Sequence, residues 1–414
     1  MAETLTPAEA AARFDTTDSL GLPVGPGQPP ALLAELGRRT DWEDLRVYGA
    51  LLLVGTELFS HPGVHYLSGF FGPFERALRD AGANISFAPA DFRRFAPLFA
   101  EQAPRIMATA ASAPDEDGWC SLSLHAGGTA AELHRAAADS DRLLVVEASP
   151  RFPRTFGVQP DYRHALHVDE IDLLVGSEGA PLAISEAPPG DAARAIAEHA
   201  RRFITDGDTL QTGIGAIPST IAGLLADGPG GGYGIHTEMF TTGLMQLHEA
   251  GKVVNRKGQY DGISVTTFAA GGEELYRWLD GNSDVAFLPV EIVNSPDVIA
   301  RNREMVTING AMEIDIHGQV VADTVDGTQF SGIGGHEDFV AGPALSLESR
   351  SLLCMPATYG KGDEMRSRIV PWFGPGEVIT TPRHQVDVIV TEYGAAELQG
   401  KTVHQRGEAL AAIA

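Results

Sequence analysis

The fold is decided by the stretch Thr209-Leu210-Gln211-Thr212-Gly213-Ile214-Gly215-Ala216-Ile217-Pro218. A short strand-like run enters a tight glycine turn, and a helical pattern begins directly after the turn. Similar apolar runs bounded by turn residues recur along the chain with helical stretches between them, at residues 48–54, 143–146, 171–175, 285–290 and 386–390. This alternation predicts an α/β fold with mainly parallel sheets.

The domain organisation follows from the length and from one break in the pattern. A chain of 414 residues exceeds what a single hydrophobic core usually serves, so two domains are expected. The segment Ala187-Pro188-Pro189-Gly190 interrupts the α/β alternation, and a helix with apolar residues at helical spacing follows it. We therefore predict one domain over residues 1–188 and a second over residues 189–414.

An internal echo indicates that the two halves are similar. Asp18-Ser19-Leu20, a Gly/Pro-rich loop and Pro30-Ala31-Leu32-Leu33 correspond to Asp208-Thr209-Leu210, the loop 213–215 and Pro218. In each copy a short strand would enter a turn and then a helix, a geometry in which backbone N–H groups can meet an anion. A single echo is compatible with duplication or with chance.

Composition narrows the classes of partner and compartment. The formal charge is −25, from 30 Lys+Arg against 55 Asp+Glu, and no basic patch offsets it, which disfavours nucleic acid as a partner. Two distant cysteines, Cys120 and Cys354, support neither a disulfide framework nor a cysteine-rich metal site. The start Met1-Ala2-Glu3-Thr4-Leu5 lacks the pattern of a signal peptide, and no run approaches 18 apolar residues. We expect a soluble, cytoplasmic protein with no membrane partner.

The glycine turn at 213–215 is similar to a nucleotide-binding loop. The third glycine of the dinucleotide fingerprint is replaced by Pro218, so a Rossmann cofactor site is disfavoured. Taken alone, the stretch is better explained as a structural strand-to-helix turn than as a binding loop.

A second candidate is the carboxylate of Glu238. Gly230-Gly231-Gly232-Tyr233-Gly234 leads into Ile235-His236-Thr237-Glu238-Met239-Phe240, and glycines let backbone approach a ligand while apolar neighbours keep the acid partly dry. The alternatives are a solvated loop glutamate or a metal site built on His236 and Glu238. The best further ligands, His336-Glu337-Asp338, lack a recognised metal spacing, so we expect no metal.

A second glycine-rich loop, Ser331-Gly332-Ile333-Gly334-Gly335, precedes His336-Glu337-Asp338-Phe339. Its N–H groups could stabilise an oxyanion or bind a pantetheine carbonyl. The alternative is again a structural turn.

Several motifs occur in a fixed order along the chain. They are Leu210-Gln211-Thr212-Gly213-Ile214-Gly215-Ala216-Ile217-Pro218, Gly234-Ile235-His236-Thr237-Glu238-Met239, Ile308-Asn309 with Glu313-Ile314-Asp315-Ile316-His317-Gly318-Gln319-Val320, Ser331-Gly332-Ile333-Gly334-Gly335 with Asp338-Phe339, and Val390-Thr391-Glu392-Tyr393-Gly394. In this order they resemble the motifs of the acetyl-CoA hydrolase/transferase family, and the resemblance spans nearly the whole chain. The first half agrees more loosely, through Gly69-Phe70-Phe71-Gly72, Ala113-Pro114-Asp115-Glu116-Asp117-Gly118 and Pro153-Arg154-Thr155. The nearest subgroup is that of the 4-hydroxybutyrate and butyryl CoA-transferases.

The resemblance implies a fold and a set of site residues. It implies two related CoA-transferase-like α/β domains with mainly parallel sheets and an active site in the cleft between them. It places the catalytic nucleophile on Glu238 and the oxyanion donors on the amides of Ile214 or Gly215 and of Gly335. The implied CoA-binding residues lie on the two loops and are Gly215, Ala216, Ile217, Pro218, Ser219, Ser331, Gly332, Gly334 and Gly335.

The activity implied by the resemblance is transfer of CoA from a short-chain acyl-CoA to acetate or a similar carboxylate. A ping-pong route through a glutamyl-CoA thioester needs coenzyme A as acyl-CoA substrate and no metal. The resemblance also favours a homo-oligomer, a dimer or a tetramer.

Departures from the family pattern leave the acyl group and the acceptor open. Thr241-Thr242-Gly243 replaces Ser-Asp-Gly, His336 replaces a glutamine, Ala341 replaces an arginine, Glu348-Ser349-Arg350 replaces Gly-Gly-Lys, and the sequence ends at Ala414, before the family's His-Pro-Asp-Phe tail. Three alternatives therefore stand beside transfer: hydrolysis of the acyl-CoA at the same site, a CoA-binding relative with altered catalysis, and a metal-dependent hydrolase using His236 and His336.

Overall fold

The computed structural model describes residues 4–184 and 188–414. Residues 1–3 and 185–187 lie outside the described residues, and they include Met1, Ala2 and Glu3 of the predicted leaderless start and Ala187 of the predicted boundary.

The regular elements alternate along the chain as the sequence predicts. In residues 4–184 they are β1 (Thr4–Leu5), α1 (Pro7–Ala11), β2 (Ser19–Val24), α2 (Pro30–Arg38), β3 (Leu45–Ala50), β4 (Val64–Ser68), α3 (Pro73–Asp80), β5 (Ile85–Phe87), α4 (Phe95–Gln102), β6 (Ile106–Ser112), β7 (Trp119–Ser121), α5 (Ala130–Ala137), β8 (Leu143–Ser149), β9 (Ala165–His167) and β10 (Leu173–Gly176).

The remaining elements begin after residue 188. They are α6 (Asp191–Ala200), β11 (Thr209–Thr212), α7 (Ala216–Asp227), β12 (Gly234–Ile235), β13 (Met239–Phe240), α8 (Thr242–Glu249), β14 (Ser264–Thr266), β15 (Phe268–Ala269), α9 (Glu273–Leu279), β16 (Val285–Phe287), α10 (Val290–Val293), α11 (Pro296–Ala300), β17 (Met305–Gly310), β18 (Glu313–Asp315), β19 (Val320–Val321), β20 (Thr324–Val325), β21 (Thr328–Gln329), α12 (His336–Ala344), β22 (Arg350–Cys354), β23 (Thr358–Tyr359), β24 (Arg366–Ser367), β25 (Ile369–Val370), β26 (Val388–Thr391), β27 (Gly394–Glu397) and α13 (Val403–Ala411). Short 3-10 helices lie at Gly25–Gly27, Glu57–Ser60, Phe92–Arg94, Val168–Glu170, Arg201–Phe203 and Gly362–Glu364.

The chain divides into two compact units. The first comprises Met1–Ile184 and Thr266–Ile292, and the second comprises Ser185–Val265 and Val293–Ala414. The sequence places residues 266–292 in the second half, whereas backbone hydrogen bonds join them to the first unit. Ala269 donates to Leu124 O and Phe287 to Phe156 O, each at 2.8 Å. The structure thus departs from the predicted division at this segment, and the boundary at 188/189 stays a prediction.

A parallel sheet forms the centre of the first unit. Among the described residues its strand order is β1-β10-β8-β6-β2-β3-β4-β5, and every neighbouring pair is parallel. Buried apolar side chains from β2, β3 and α2 form part of one continuous core and include Leu20, Leu22, Leu32, Leu36 and Val47. This packing holds α2 over the sheet.

The second unit has a smaller sheet of the same kind. Its strands lie in the order β12-β11-β17-β22-β26-β27 in the described part of the chain, parallel except for the β26–β27 pair. Its apolar core includes Ile314, Val320, Leu353, Ile389 and Leu410. The mainly parallel α/β architecture predicted from the sequence is confirmed. Across residues 4–184 and 188–414, no helix combines the length and apolar character that crossing a membrane requires.

Candidate active site

Glu238 lies on the short connection between β12 and β13 in the second unit. The preceding residue, Thr237, fixes this connection: its N–H donates to Val265 O at 2.9 Å, and its hydroxyl lies between two carbonyl acceptors, Met239 O at 3.0 Å and Thr212 O at 3.2 Å. Thr212 ends β11 immediately before the first glycine loop. The two motifs that the sequence singled out are therefore held side by side by a hydrogen bond.

The carboxylate of Glu238 is half-buried and accepts a short hydrogen bond from Asn294. Asn294 Nδ2 donates to Glu238 Oε2 at 2.6 Å and to Asp338 Oδ2 at 3.1 Å. Asn294 and Asp338 are fully buried. Since only the NH₂ group of an amide can donate, the two carboxylates fix which way the Asn294 amide points. Sequence reasoning missed Asn294, because the residues Ser295-Pro296 that follow it suggest only the start of a helix.

Burial raises the pKa of Glu238 to about 7, and the hydrogen bond from Asn294 opposes that rise. Removing a carboxylate from water disfavours its charged form, whereas a donor to the charged form favours it. Near neutral pH the group is therefore available both as carboxylate and as acid, a perturbation typical of catalytic carboxyls.

The Glu238 carboxylate lies against the α-carbon of Gly335. A Cβ at position 335 would lie 1.9 Å from Glu238 Oε2 and 2.6 Å from Asn294 Nδ2. The backbone of Gly335 has φ −89° and ψ 7°, a conformation open to every residue type. Glycine is required here because a Cβ would prevent the close approach of the carboxylate. The turn itself does not require a positive φ.

The helix that follows Gly335 is anchored at its first turn. His336 Nε2 lies 2.8 Å from the hydroxyl of Thr381, which donates in turn to Glu337. Burial lowers the pKa of His336 to about 4, and Asp323 opposes this shift, so the ring is neutral and donates through Nε2. These bonds fix the start of α12 and thereby the position of Gly335 beside Glu238.

The first glycine loop borders open space. Gly215 is the N-cap of α7 with φ +123°, and a Cβ at Gly213 or Gly215 would meet nothing within 4 Å. Ile214 is 36% exposed, and the predicted CoA-binding residues Ala216, Ile217, Pro218 and Ser219 are half-buried. Pro218 has no N–H, so the donors of this turn are its neighbouring amides. The loop thus has room for a ligand beside the residues predicted to bind one.

The second loop is more tightly held. Ser331 N donates to Asp323 O at 3.0 Å, and the Ser331 hydroxyl donates to Gly332 O at 3.3 Å. Gly332 and Gly334 are buried, and Gly334 has φ +56°. Of this loop, Gly335 is the residue that the structure brings to Glu238. The predicted ligand contacts of Ser331, Gly332 and Gly334 stay predictions.

The glycines at 230–234 approach the protein itself. Gly231 N donates to Asp206 Oδ1 at 3.0 Å, and Lys252 Nζ donates to Gly228 O and Gly230 O at 2.6 and 2.9 Å. These contacts give the run a packing role, and its close approach to a ligand stays a prediction.

His236 orients the residue beside Asn294. Its Nε2 donates to Val293 O at 2.7 Å. Burial lowers the pKa of His236 to about 4. The hydrogen bond to Val293 opposes this shift, and the nearby Lys257 cation adds to it. Among the described residues, no group of three or more His, Cys, Asp or Glu side chains is placed to hold a metal ion. Through the bond to Val293 O, His236 holds the backbone next to Asn294 in place.

Comparison with known proteins identifies the family. Residues 271–414 match the family model "Acetyl-CoA hydrolase/transferase C-terminal domain". The 4-hydroxybutyrate coenzyme A transferase of Clostridium kluyveri is 37% identical, with 81% of this chain and 76% of that protein covered. This chain belongs to the acetyl-CoA hydrolase/transferase family. The resemblance noted from the motifs is confirmed, and the protein is a CoA-transferase.

Two further similarities cover more of the chain. The butyryl-CoA:acetate CoA-transferase of Anaerostipes caccae is 30% identical over 93% of this chain and 87% of its own length. The crystal structure of RipA from Yersinia pestis matches with a TM-score of 0.90 at 30% identity, covering 100% of this chain and 94% of RipA. The whole described fold is therefore that of a CoA-transferase relative.

Proposed function

We propose that this CoA-transferase moves CoA between a short-chain acyl-CoA and a small carboxylate through a covalent intermediate on Glu238. The observation that carries the proposal is the half-buried Glu238 carboxylate with its pKa raised to about 7, held by the 2.6 Å bond from Asn294. A carboxylate whose charge is poorly hydrated is a stronger nucleophile than one in water, and a fixed donor keeps its second oxygen oriented.

The reaction proceeds by balanced exchanges at carbonyl carbon. Glu238 attacks the thioester of the acyl-CoA, which gives a mixed anhydride and expels the CoA thiolate. The thiolate attacks the Glu238 carbonyl, forming glutamyl-CoA and releasing the donor's carboxylate. The acceptor carboxylate attacks glutamyl-CoA, the thiolate leaves again, and its return to the acceptor's acyl carbon gives the new acyl-CoA and free Glu238. The thioester bond energy is retained throughout.

Each tetrahedral intermediate needs donors for its oxyanion. We assign this role to the amide of Gly335, whose α-carbon lies beside the carboxylate, and to the amide of Ile214 or Gly215 on the open first loop. Loss of one such donor typically costs about 10²–10³ in kcat. Residues Gly215, Ala216, Ile217, Pro218 and Ser219 are assigned to CoA, with Ser331, Gly332, Gly334 and Gly335 on the second loop.

The substrates proposed here follow the similar enzymes. Names of relatives mention 4-hydroxybutyrate, butyryl-CoA and acetate, so we propose a short acyl-CoA as donor and acetate or a similar carboxylate as acceptor. Two buried free thiols, Cys120 and Cys354, support the proposed cytoplasmic location. A homo-oligomer remains a prediction from the family resemblance.

The decisive experiment is trapping of the glutamyl-CoA thioester. Wild-type protein is incubated with a panel of acyl-CoAs without acceptor, and its intact mass is measured before and after borohydride reduction. A CoA adduct that maps to Glu238 and turns into a reduced residue is expected, and the isosteric Glu238→Gln protein is the control. No adduct with any donor, under conditions where the enzyme turns over, would refute the covalent route. Steady loss of acyl-CoA without an acceptor would instead identify hydrolysis.

A further inference from the structure

In the first unit, the start of helix α2 holds a carboxylate from the protein itself. Glu147, on strand β8, accepts hydrogen bonds from Leu32 N at 2.9 Å and from Ala31 N at 3.2 Å. The hydroxyl of Ser177 donates to the same carboxylate at 2.8 Å. Glu147 is fully buried.

These contacts are those of an anion-binding site. The first N–H groups of a helix have no partner within the helix, and the helix dipole favours negative charge at this end. Each oxygen of the Glu147 carboxylate accepts a hydrogen bond from one of these N–H groups. Gly179 leaves space for them, since a Cβ there would lie 2.8 Å from Glu147 Oε1. Burial raises the pKa of Glu147, and its hydrogen bonds oppose that rise.

The register of the sheet locates Glu147 relative to the internal echo. In the first unit Leu20 of β2 pairs with Ile106 of β6. Further along β6, at residue 110, Ala110 pairs with Glu147 of β8. The carboxylate thus lies two strands away from β2, the strand that leads into helix α2.

In the second unit, the corresponding steps from strand to strand lead to a different side chain. Leu210, which corresponds to Leu20 in the echo, pairs with Val306 of β17. From 306 to 310 is the same step as from 106 to 110, and Gly310 pairs with Cys354 of β22. Cys354 therefore takes the place of Glu147, and it offers no carboxylate to helix α7.

Glycines on strand β17 and on the turn that begins helix α7 border open space in the second unit. A Cβ at Gly213, Gly215 or Gly310 would meet nothing within 4 Å. Gly213 and Gly215 lie on the loop assigned to CoA under the proposed function, and Gly310 ends the neighbouring strand β17.

We propose that the start of helix α2 in the first unit is an anion-binding site, and that Glu147 is its permanent internal ligand. The site takes a carboxylate between the α2 amides and Ser177, and Glu147 closes it to external ligands. The comparison with the second unit rests on the proposed function; the site in the first unit does not.

The test is chemical rescue of a truncated side chain. Glu147→Ala empties the site, and the melting temperature of the full chain is measured in sodium formate and in sodium chloride at equal ionic strength. We expect Glu147→Ala to melt below wild type, and formate to restore about a few °C more than chloride does, because a ligand that binds only the folded state stabilises it. Wild type should respond equally to the two salts.

Glu147→Gln is the matched control, since the amide fills the site and leaves no room for formate. Equal effects of formate and chloride on Glu147→Ala would overturn the proposal, as would a formate effect of the same size on Glu147→Gln. If Glu147→Ala is too unstable to melt cooperatively, its refolding yield from urea in the two salts gives the same comparison. No measurement here depends on transferase activity, so failure of this proposal is separate from failure of the role of Glu238.

Discussion

Replacing Gly335 with alanine separates catalysis from folding in this enzyme. The added Cβ would lie 1.9 Å from Glu238 Oε2, whereas real Cβ atoms essentially never come closer than 3.0 Å to another heavy atom. The carboxylate must therefore retreat by about 1.1 Å, the difference between these distances, and Asn294 Nδ2, at 2.6 Å from the same Cβ, must move as well. A misplacement of about 1 Å at the reacting group can cost about 10²-fold in rate.

The fold should tolerate the same substitution. Alanine adopts φ −89° without strain, and the groups displaced are the ends of the Glu238 and Asn294 side chains, so we expect Gly335→Ala to melt within about 2 °C of wild type. Stopped-flow transfer rates and thermal unfolding are measured on one preparation. Gly251→Ala is the contrasting control: Gly251 follows helix α8 with φ +68° and open space around it. It should lose about 1 kcal/mol of stability and keep full activity per folded molecule.

The result for Gly335→Ala that would refute this reasoning is a kcat within about twofold of wild type. Early melting with intact kcat, the behaviour expected of Gly251→Ala, would equally remove Gly335 from the site. Either outcome would show that the contact between Gly335 and Glu238 does not affect catalysis.

Three further predictions concern the same site. Glu238→Ala should abolish transfer while retaining the fold and CoA affinity, and Glu238→Asp should be strongly impaired because the shorter side chain withdraws the nucleophile; near-normal turnover in either would exclude covalent catalysis by this residue. The value of kcat/KM should rise with pH and level off above about 7, because the reactive form is the carboxylate. Asn294→Ala removes the bond that lowers the pKa of Glu238, so it should move the midpoint of this profile upward. An unchanged profile would contradict the effect of Asn294 on the pKa of Glu238. Activity should survive exhaustive dialysis against EDTA, since oxyanion stabilisation is assigned to backbone amides; loss that zinc reverses would favour a metal site at His236 and His336.

The raised pKa of Glu238 also has a consequence for stability. A carboxyl whose pKa is higher in the folded state binds more protons when folded, so its contribution to stability is full below the ordinary pKa near 4.5 and is lost as pH rises to about 7. Such a loss of folding stability is expected of a carboxyl group that is placed for reactivity. The Glu238→Gln substitution removes the charge and should therefore restore this stability above pH 7.

Local patterns predicted the elements well where the chain follows ordinary backbone rules. The strand expected at 209–212 is β11, and the expected helix after Gly190 is α6. Two strands are shorter than their apolar runs suggest. Strand β3 ends at Ala50 because Leu51 has φ +49°, and β16 ends at Phe287 shortly before Pro289, which has no N–H to donate to a sheet. Apolar composition alone does not encode such interruptions.

The candidate site was predictable only in part, because its partners are brought together by the fold. The sequence predicted Glu238 and Gly335 as site residues because both belong to glycine-rich motifs. Asn294 contacts both Glu238 and Asp338, yet its own sequence neighbourhood is that of a helix start. Its position beside Glu238 depends on the return of the chain into the second unit at Val293, which no local pattern reveals.

Consecutive residues of the His-Thr-Glu motif bind two segments of the second unit, at residue 212 and at residues 293–294. His236 binds the carbonyl of Val293, Thr237 binds that of Thr212, and Glu238 accepts the bond from Asn294. Since carbonyl oxygens are fixed by the backbone, the bonds of His236 and Thr237 set the main-chain position of the motif, and the Asn294 side chain then holds the carboxylate.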